Sequence, residues 1–459
     1  MALKTIFPMT RVHEPLRIDV QVENGKVVDA WVGGLLFRGM ESMLTGRDPR
    51  DVSLFTQRIC GICSSAHAMA ATMAQQQAFG IKATPNGQLI SNLIVIADMV
   101  QNHLRHFYLL ALYDYVQGPD MPPWTPRLSG DYRLPKKTND DILGHARQGL
   151  EMAIRAHEML AIFGAKAPHS QTILPTGVTQ PATAERLMAF GGILQEIKKW
   201  VETVHMLDVM TIADYYSDYY TIGTGYGNLL SFGMLSTPTT SEPVFAAGII
   251  TGKGSPEVLD AVHITESVQY SWYDDEKGNR HPAEGITVPD RDKPEAYTWV
   301  KAPRYKGLPY EGGPLARAWM NGDYRKGVSV MDRLVARQLE VVKLCRLAAD
   351  WLELIIPNGP TFQPYTPLPH CHGVGLMDTM RGPLGHWMTI RDNKVSHYQI
   401  VTPTSWNFAP RDSQGLRGPV EQALLDTPVA DADSLIEVGR VVRSFDPCFT
   451  CAIHAIRTI

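Results

Sequence analysis

Four of the six cysteines fall into two C-x-x-C pairs: Cys60 and Cys63 in RICGIC, and Cys448 and Cys451 in DPCFTC. Thiolate sulfur is soft and polarisable, and two thiolates three positions apart can face one metal from a turn or a helix start. A histidine follows each pair, His67 after the first and His454 after the second. A structural zinc clip held by four cysteines is one assignment. Zinc ribbons, however, keep their pairs about 15–20 residues apart, and here 385 positions separate Cys63 from Cys448. A small clip rarely recruits both ends of a large chain. A thioredoxin-like redox role fits less well still, since neither pair sits in a strand–CxxC–helix unit. Chain ends normally fray, so soft ligands placed against one need a fold that brings both ends together.

The bulk composition suits such a fold. The 459 residues are 44% hydrophobic and 20% charged, as in a well-buried globular protein, and disorder is not indicated. A net charge of -4 gives no basic footprint for nucleic acid or an anionic membrane. Six cysteines in this length are too sparse for a disulfide framework. The opening MALKTIFPMTRVHEPLRIDV has an early proline and no long apolar core, so it does not read as a signal peptide.

Periodicity then places the elements. Leu16 to Gly34 alternates apolar and polar around a Glu-Asn-Gly turn, a β-hairpin signal. Gly87 to Val116 is apolar on nearly every face, but Asp98, Asn102, His103, Arg105 and His106 interrupt it. Charged groups at mid-bilayer cost about 2.5–3.5 kcal/mol each, so a buried helix is expected rather than a membrane span. Further helices are expected over 141–163, 182–219 and 314–356, with loops over 118–135, 241–254 and 272–312. From Pro357 the texture reverts to short strands and turns. The fold class is α+β: a long-helix bundle core with small β-sheets from the N- and C-terminal regions. Residues 1–459 read as one domain, with a β-hairpin region to about 50, a helical core over about 51–356 and a site-closing region over about 357–459.

Taken together, FTQRICGIC and RSFDPCFTCAIH resemble the signatures of the nickel–iron hydrogenase large subunit. LLFRGMESMLTGRDPRD, NHLRHFYLL, GAKAPHSQTILPTGVT, MRGPLGHW and TPTSWNFAPRD lie between them in that family's order. The likeness is strongest to the respiratory uptake branch. It implies heterolytic cleavage of H2 to protons and electrons at a Ni–Fe centre whose iron carries carbon monoxide and two cyanides. By the same resemblance, Cys60 and Cys448 are terminal nickel ligands, and Cys63 and Cys451 bridge the metals. Arg381 stands over the open metal edge, unless it is a surface ion-pair arginine. Thr404 and the backbone around Pro403 bond the cyanides. Glu41, the Ile400 carbonyl and His454 hold magnesium. Asp446 pairs with a nearby arginine or else caps a helix. Asn102 and His106 lie close to the site, His103 and His106 being core histidines in the alternative.

Several positions depart from the family pattern. His13, followed by Glu14, stands where a glutamate normally takes the first proton, and either residue is a candidate relay. Asn102 replaces an aspartate, Met380 a proline, and Thr402 an apolar residue. After His454 only AIRTI remains, either a very short tail for a maturation endopeptidase or one that is kept. Only Cys345 and Cys371 lie outside the site, too few for an electron-carrying cluster chain. An iron–sulfur small subunit is therefore the implied heterodimer partner, with a membrane cytochrome b or quinone-linked subunit a further candidate. H2 is the substrate, and no nucleic acid is involved. Membrane association on the extracytoplasmic side, through the small subunit, is the expected location, with the cytoplasm as the alternative. A hydrogen-sensing regulatory hydrogenase is the alternative function. A metal-free relative, as in respiratory complex I, conflicts with four retained thiolates.

Overall fold

Three long helices run through the centre of the molecule: α4 (Pro85–Arg105), α5 (Lys136–Gly164) and α9 (Val330–Leu354). The structure, a computed structural model, describes residues 2–122, 124, 125, 130–240 and 242–452. Thr84 caps α4 by accepting from Gly87 N–H, and Pro85 starts the first turn. Packed between α5 and α9, α4 buries Asp98, Gln101, Asn102 and His103 with its apolar residues. It continues into a wide π turn, His106–Ala111. Among the described residues no helix is long and apolar enough to cross a membrane.

The N-terminal sheet holds β1 (Ala2–Ile6), β2 (Leu16–Glu23) and β3 (Lys26–Gly34), all antiparallel. Asn24 and Gly25 both take positive φ in the hairpin turn, the geometry that matches strand twist. The hairpin agrees with the sequence pattern, whereas β1 gives no clear alternation and was not expected. Short helices α1 (Met40–Leu44) and α2 (Val52–Thr56) lead to α3 (Ser64–Phe79).

Two expected helices are broken. Residues 182–219 form α6 (Ala184–Trp200) and α7 (Met206–Tyr215), joined by a π turn at Val201–His205. Residues 314–356 form α8 (Pro314–Asn321) and α9. Left-handed Gly322 ends the first, and a Ser329–Asp332 capping box starts the second. Strand pairs β4 (Ile173–Leu174) with β5 (Gly177–Val178), β6 (Leu229–Met234) with β7 (Phe245–Ile250), and β8 (Ile264–Ser267) with β9 (Ala302–Tyr305) line the connections. Two of these strands, β7 and β9, fall where loops were expected.

After the core comes an antiparallel sheet of β10 (Cys371–Thr379), β11 (Gly382–Arg391) and β12 (Lys394–Val401), longer than the short strands expected there. The chain closes with α10 (Pro403–Asn407), α11 (Pro419–Leu424), α12 (Ile436–Ser444) and α13 (Phe449–Ala452). Thr402, unusual on sequence grounds, caps α10 by accepting from Ser405 N–H.

Helix α3 lies directly on β10. A Cβ at Gly375 would stand 1.9 Å from the Ala70 carbonyl oxygen, and one at Gly373 would stand 2.1 Å from that of Ala74. Alanine on one side and glycine on the other allow this approach. The contact fixes the start of α3, where Cys63 sits, against the strand that leads into Arg381. Gly375→Ala is expected to push α3 off the sheet and cost about 1–3 kcal/mol. Thermal unfolding and metal analysis of the purified variant would show a lower melting temperature together with lost metal.

Candidate metal centre

The four sulfurs meet. Cys60 Sγ lies 3.4 Å from Cys448 Sγ, Cys63 Sγ 3.2 Å from Cys451 Sγ, and Cys448 Sγ 3.3 Å from Cys451 Sγ. All four lie within 4.8 Å of one another, buried and free of disulfides. They sit inside the apolar cluster formed around α3, α4, α5 and the C-terminal sheet. Hydrogen bonding from neighbouring thiols, Cys451 first, lowers the Cys448 pKa to about 6. Cys60 is lowered too, first by Cys448, with Arg381 adding to the effect. Four thiolates this close in a dry core repel unless cations lie among them. The soft, compact donor set therefore fits transition metals, with metal–sulfur bonds of about 2.3 Å.

Local structure explains how each pair converges. Cys63 is the residue before the first turn of α3, and Cys451 N–H donates to the Cys448 carbonyl at the start of α13. Arg38 ties the two segments, donating to the carbonyls of Ile59, Arg58 and Thr450. The N-terminal loop joins as well: His13 N–H donates to the Pro447 carbonyl, and Phe449 N–H donates to that of His13. Arg443 pins this arrangement, reaching Thr10 O at 3.1 Å and both oxygens of Asp114 at 2.7 and 2.8 Å.

Arg381 follows β10 and is buried, so the surface alternative falls. Its Nε donates to the Asp446 carbonyl at 3.0 Å and lies 3.3 Å from Asp446 Oδ2. Its Nη2 donates to Asn102 Oδ1 at 2.6 Å, while Asn102 Nδ2 donates to Asp446 Oδ2 at 2.8 Å. An amide bridges the pair with one acceptor and one donor, which a carboxylate could not do beside Asp446. Burial opposes ionisation of Asp446, yet Arg381, His106 and Arg337 outweigh it and hold the carboxyl far below its usual range. His106 Nε2 bonds the Arg443 carbonyl at 2.6 Å, as a core histidine does.

A small cleft beside Cys63 and Cys451 is lined by Ala66, His67, Arg381, Leu384, Pro403 and Thr404. Thr404 Oγ1 accepts from Cys448 N–H at 3.1 Å, which leaves its hydroxyl proton to donate elsewhere. His13 is largely buried near Cys448, and its Nε2 has no hydrogen-bond partner among the described residues. Burial, then Arg381, lowers its pKa to about 4. Glu14 takes a positive φ and is exposed.

Glu41 and Ile400 also come together. Glu41 Oε1 accepts from Ile400 N–H at 3.0 Å, and Oε2 from Thr287 Oγ1 at 2.5 Å. Glu266 is buried nearby, bonded by Gln399 at 2.7 Å and 3.8 Å from Lys301. Burial raises the pKa of both carboxyls, against the pull of Lys301. The two buried carboxyls thus face one ammonium, that of Lys301. His454 and the AIRTI tail lie outside the described residues.

Sequence reasoning missed Arg38, Glu266, Arg337 and the buried chain His67–His386–Tyr398. In that chain Nδ1 of His67 lies 3.2 Å from Nε2 of His386, and Nδ1 of His386 lies 2.7 Å from the Tyr398 hydroxyl. Only the His67 position, four after Cys63, offered a signal.

The family described as nickel-dependent hydrogenase matches residues 38–122 and 124–454. The periplasmic [NiFeSe] hydrogenase large subunit of Desulfomicrobium baculatum is 37% identical, over 98% of this chain and 95% of that one. The hydrogenase-2 large chain of Escherichia coli K12 is 30% identical, over 98% and 97%. The solved Ni-Fe-Se hydrogenase from D. vulgaris Hildenborough in its reduced state superposes with a TM-score of 0.95 at 37% identity, covering 99% of this chain and 100% of that one. The four converging positions in the present chain are all cysteine.

Removing Asp446 takes from the buried Arg381 and Arg337 the carboxylate that each faces. Asp446→Ala is expected to destabilise the protein by about 3–5 kcal/mol, and Asp446→Asn by less because the amide keeps an acceptor. Denaturant unfolding of the two variants checks the order.

Proposed function

The chain belongs to the nickel-dependent hydrogenase family, and on that premise we propose how its own residues serve the oxidation of H2. It is the large subunit of a nickel–iron hydrogenase. The observation that carries the detailed reading is the convergence of four buried cysteines from both chain ends beneath a buried arginine.

Cys60 and Cys448 would hold nickel alone, and Cys63 and Cys451 would bridge nickel to iron. A Ni–Fe pair so held supplies the redox-active Lewis acid at which H2 splits heterolytically. The cleft by Cys63 and Cys451 suits an iron carrying one carbon monoxide and two cyanides. There the Thr404 hydroxyl would be free to donate to a cyanide nitrogen, and the backbone at Pro403 would shape the wall. Arg381 acts as a fixed cation over the centre, and Asn102 and Asp446 orient it. The Cys448 sulfur holds the departing proton, and His13 Nε2 receives it as a neutral acceptor. Glu14, turned to the surface, is not the relay in this reading. Glu41, the Ile400 carbonyl and His454 would bind Mg2+, with Glu266 adding charge from behind.

The relatives are named as large subunits and large chains, which supports a heterodimer here with an iron–sulfur small subunit that takes the electrons. A cytochrome b or quinone-linked subunit would connect that pair to a membrane, on its extracytoplasmic side. The relative named periplasmic favours this location over the cytoplasm. The AIRTI tail would be the substrate of a maturation endopeptidase, and C-terminal mass analysis reads whether it is removed. No observation favours a hydrogen sensor.

Purified complex is expected to contain nickel together with iron in excess of it, since the small subunit's clusters add their own, to reduce a dye with H2, and to show infrared bands of one carbonyl and two cyanides. Cys451→Ala is expected to lose the carbonyl and cyanide bands and activity together. Zinc as the sole metal in the wild-type complex would overturn the reading. His13→Gln is expected to slow H/D exchange by about 10²-fold or more at unchanged metal content, with Glu14→Gln near wild type. The reverse pattern would transfer the role to Glu14.

A further inference from the structure

The turn that carries Arg381, residues 379–382, is tied to the helical core by two buried arginines. Arg317 on α8 donates from Nη1 to the Thr379 carbonyl at 2.8 Å. Arg337 on α9 donates from Nη1 to the Met380 carbonyl at 3.3 Å and lies 3.5 Å from Asp446 Oδ2. Behind the turn the two are joined. Arg317 grips Glu340 through two parallel bonds, Nε to Oε2 at 2.7 Å and Nη2 to Oε1 at 2.6 Å. Glu340 Oε1 is 2.9 Å from His103 Nε2, and His103 Nδ1 is 3.1 Å from Arg337 Nη1. The contacts close into a ring that begins at Thr379 and ends at Met380.

The ring dictates the state of His103. A guanidinium only donates, so Nδ1 accepts from Arg337 and Nε2 carries the proton that Glu340 accepts. Burial, against the hydrogen bond to Glu340, lowers the pKa of this imidazole to about 4. Protonating Nδ1 would set a donor against the Arg337 donor and break the ring. His103 is therefore a neutral two-sided link and not a proton carrier.

We propose that His103 and Arg337 are positioning residues that set Arg381 over the metal centre by holding its turn and its Asp446 partner in one arrangement. All members are buried, and a connected buried network fixes geometry more firmly than isolated pairs do. Losing the imidazole frees Arg337 from one of its anchors, and Asp446 and Arg381 shift with it. The inference rests on the reading of Arg381 given above.

The test compares His103→Gln, His103→Leu, Arg337→Lys and Arg381→Lys in the purified complex. Metal content, H/D exchange per nickel and the nickel paramagnetic signal are measured for each. Glutamine can donate to Glu340 and accept from Arg337, so H103Q is expected to keep exchange within about threefold and leave the signal unmoved. H103L is expected to lose about 10–100-fold in exchange and to shift the signal, since misplacement near 1 Å costs about 10²-fold. Should H103L fail to assemble with metal, R337K takes its place, with the same loss expected because the shorter lysine side chain does not carry its ammonium to the point where Nη1 meets all three acceptors. H103Q as impaired as H103L would make His103 a proton carrier and overturn the proposal. An unimpaired H103L, or an unimpaired R337K where that variant stands in, overturns the ring alone if R381K is impaired. An unimpaired R381K overturns the reading of Arg381 and the proposal with it.

Discussion

Four soft sulfurs, two from each end of the chain, must lie within 4.8 Å of one another in a water-poor core. Most of the architecture follows from that requirement. Neither pair forms half a usable site, so the N-terminal loop, the start of α3 and the last helix have to dock as one unit. Backbone bonds between His13 and the residues flanking Cys448 do part of this, and Arg38 and Arg443 do the rest with fixed, multi-donor side chains. Arginine suits the task because one guanidinium can satisfy several carbonyls at once. The long helices and the glycine-lined contact between α3 and β10 serve as the rigid frame.

Around the sulfurs the charges are paired rather than excluded. Arg381 faces Asp446, Arg317 faces Glu340, and Arg443 faces Asp114, all buried. A buried ion pair gains little net stability against an apolar replacement, because desolvation offsets attraction. Its consequence here is orientation. The amide of Asn102 fits this scheme: with Asp446 already supplying the negative charge, a second carboxylate would repel it, whereas an amide bonds both partners. Thr402, another departure from the family pattern, is likewise explained locally, as the cap of α10.

Much of the fold was legible in the residues. The hairpin over Leu16–Gly34 follows from alternation and an Asn-Gly turn, and α4 from a long run with too many polar groups for a membrane. The breaks in the two longest expected helices were less legible. Gly322 and Ser329 are ordinary inside a helical pattern until packing selects a left-handed turn and a new cap. Strand β1 needs β2 beside it, and strands β7 and β9 need their partners, so their pairing is a long-range choice.

By itself the sequence determined which atoms could bind soft metals, that both ends must meet, and which family pattern the chain follows. Ligand chemistry and motif spacing are properties of local residues. Only the tertiary structure decided that His13 rather than Glu14 turns inward, and that Asn102 bridges Arg381 to Asp446. It also decided that His103 links two arginines by way of Glu340. These relations depend on the relative orientation of side chains on elements distant in sequence, and a hydrogen bond is specific to a few tenths of an ångström and a narrow range of angles. No periodicity or spacing encodes that. Packing does.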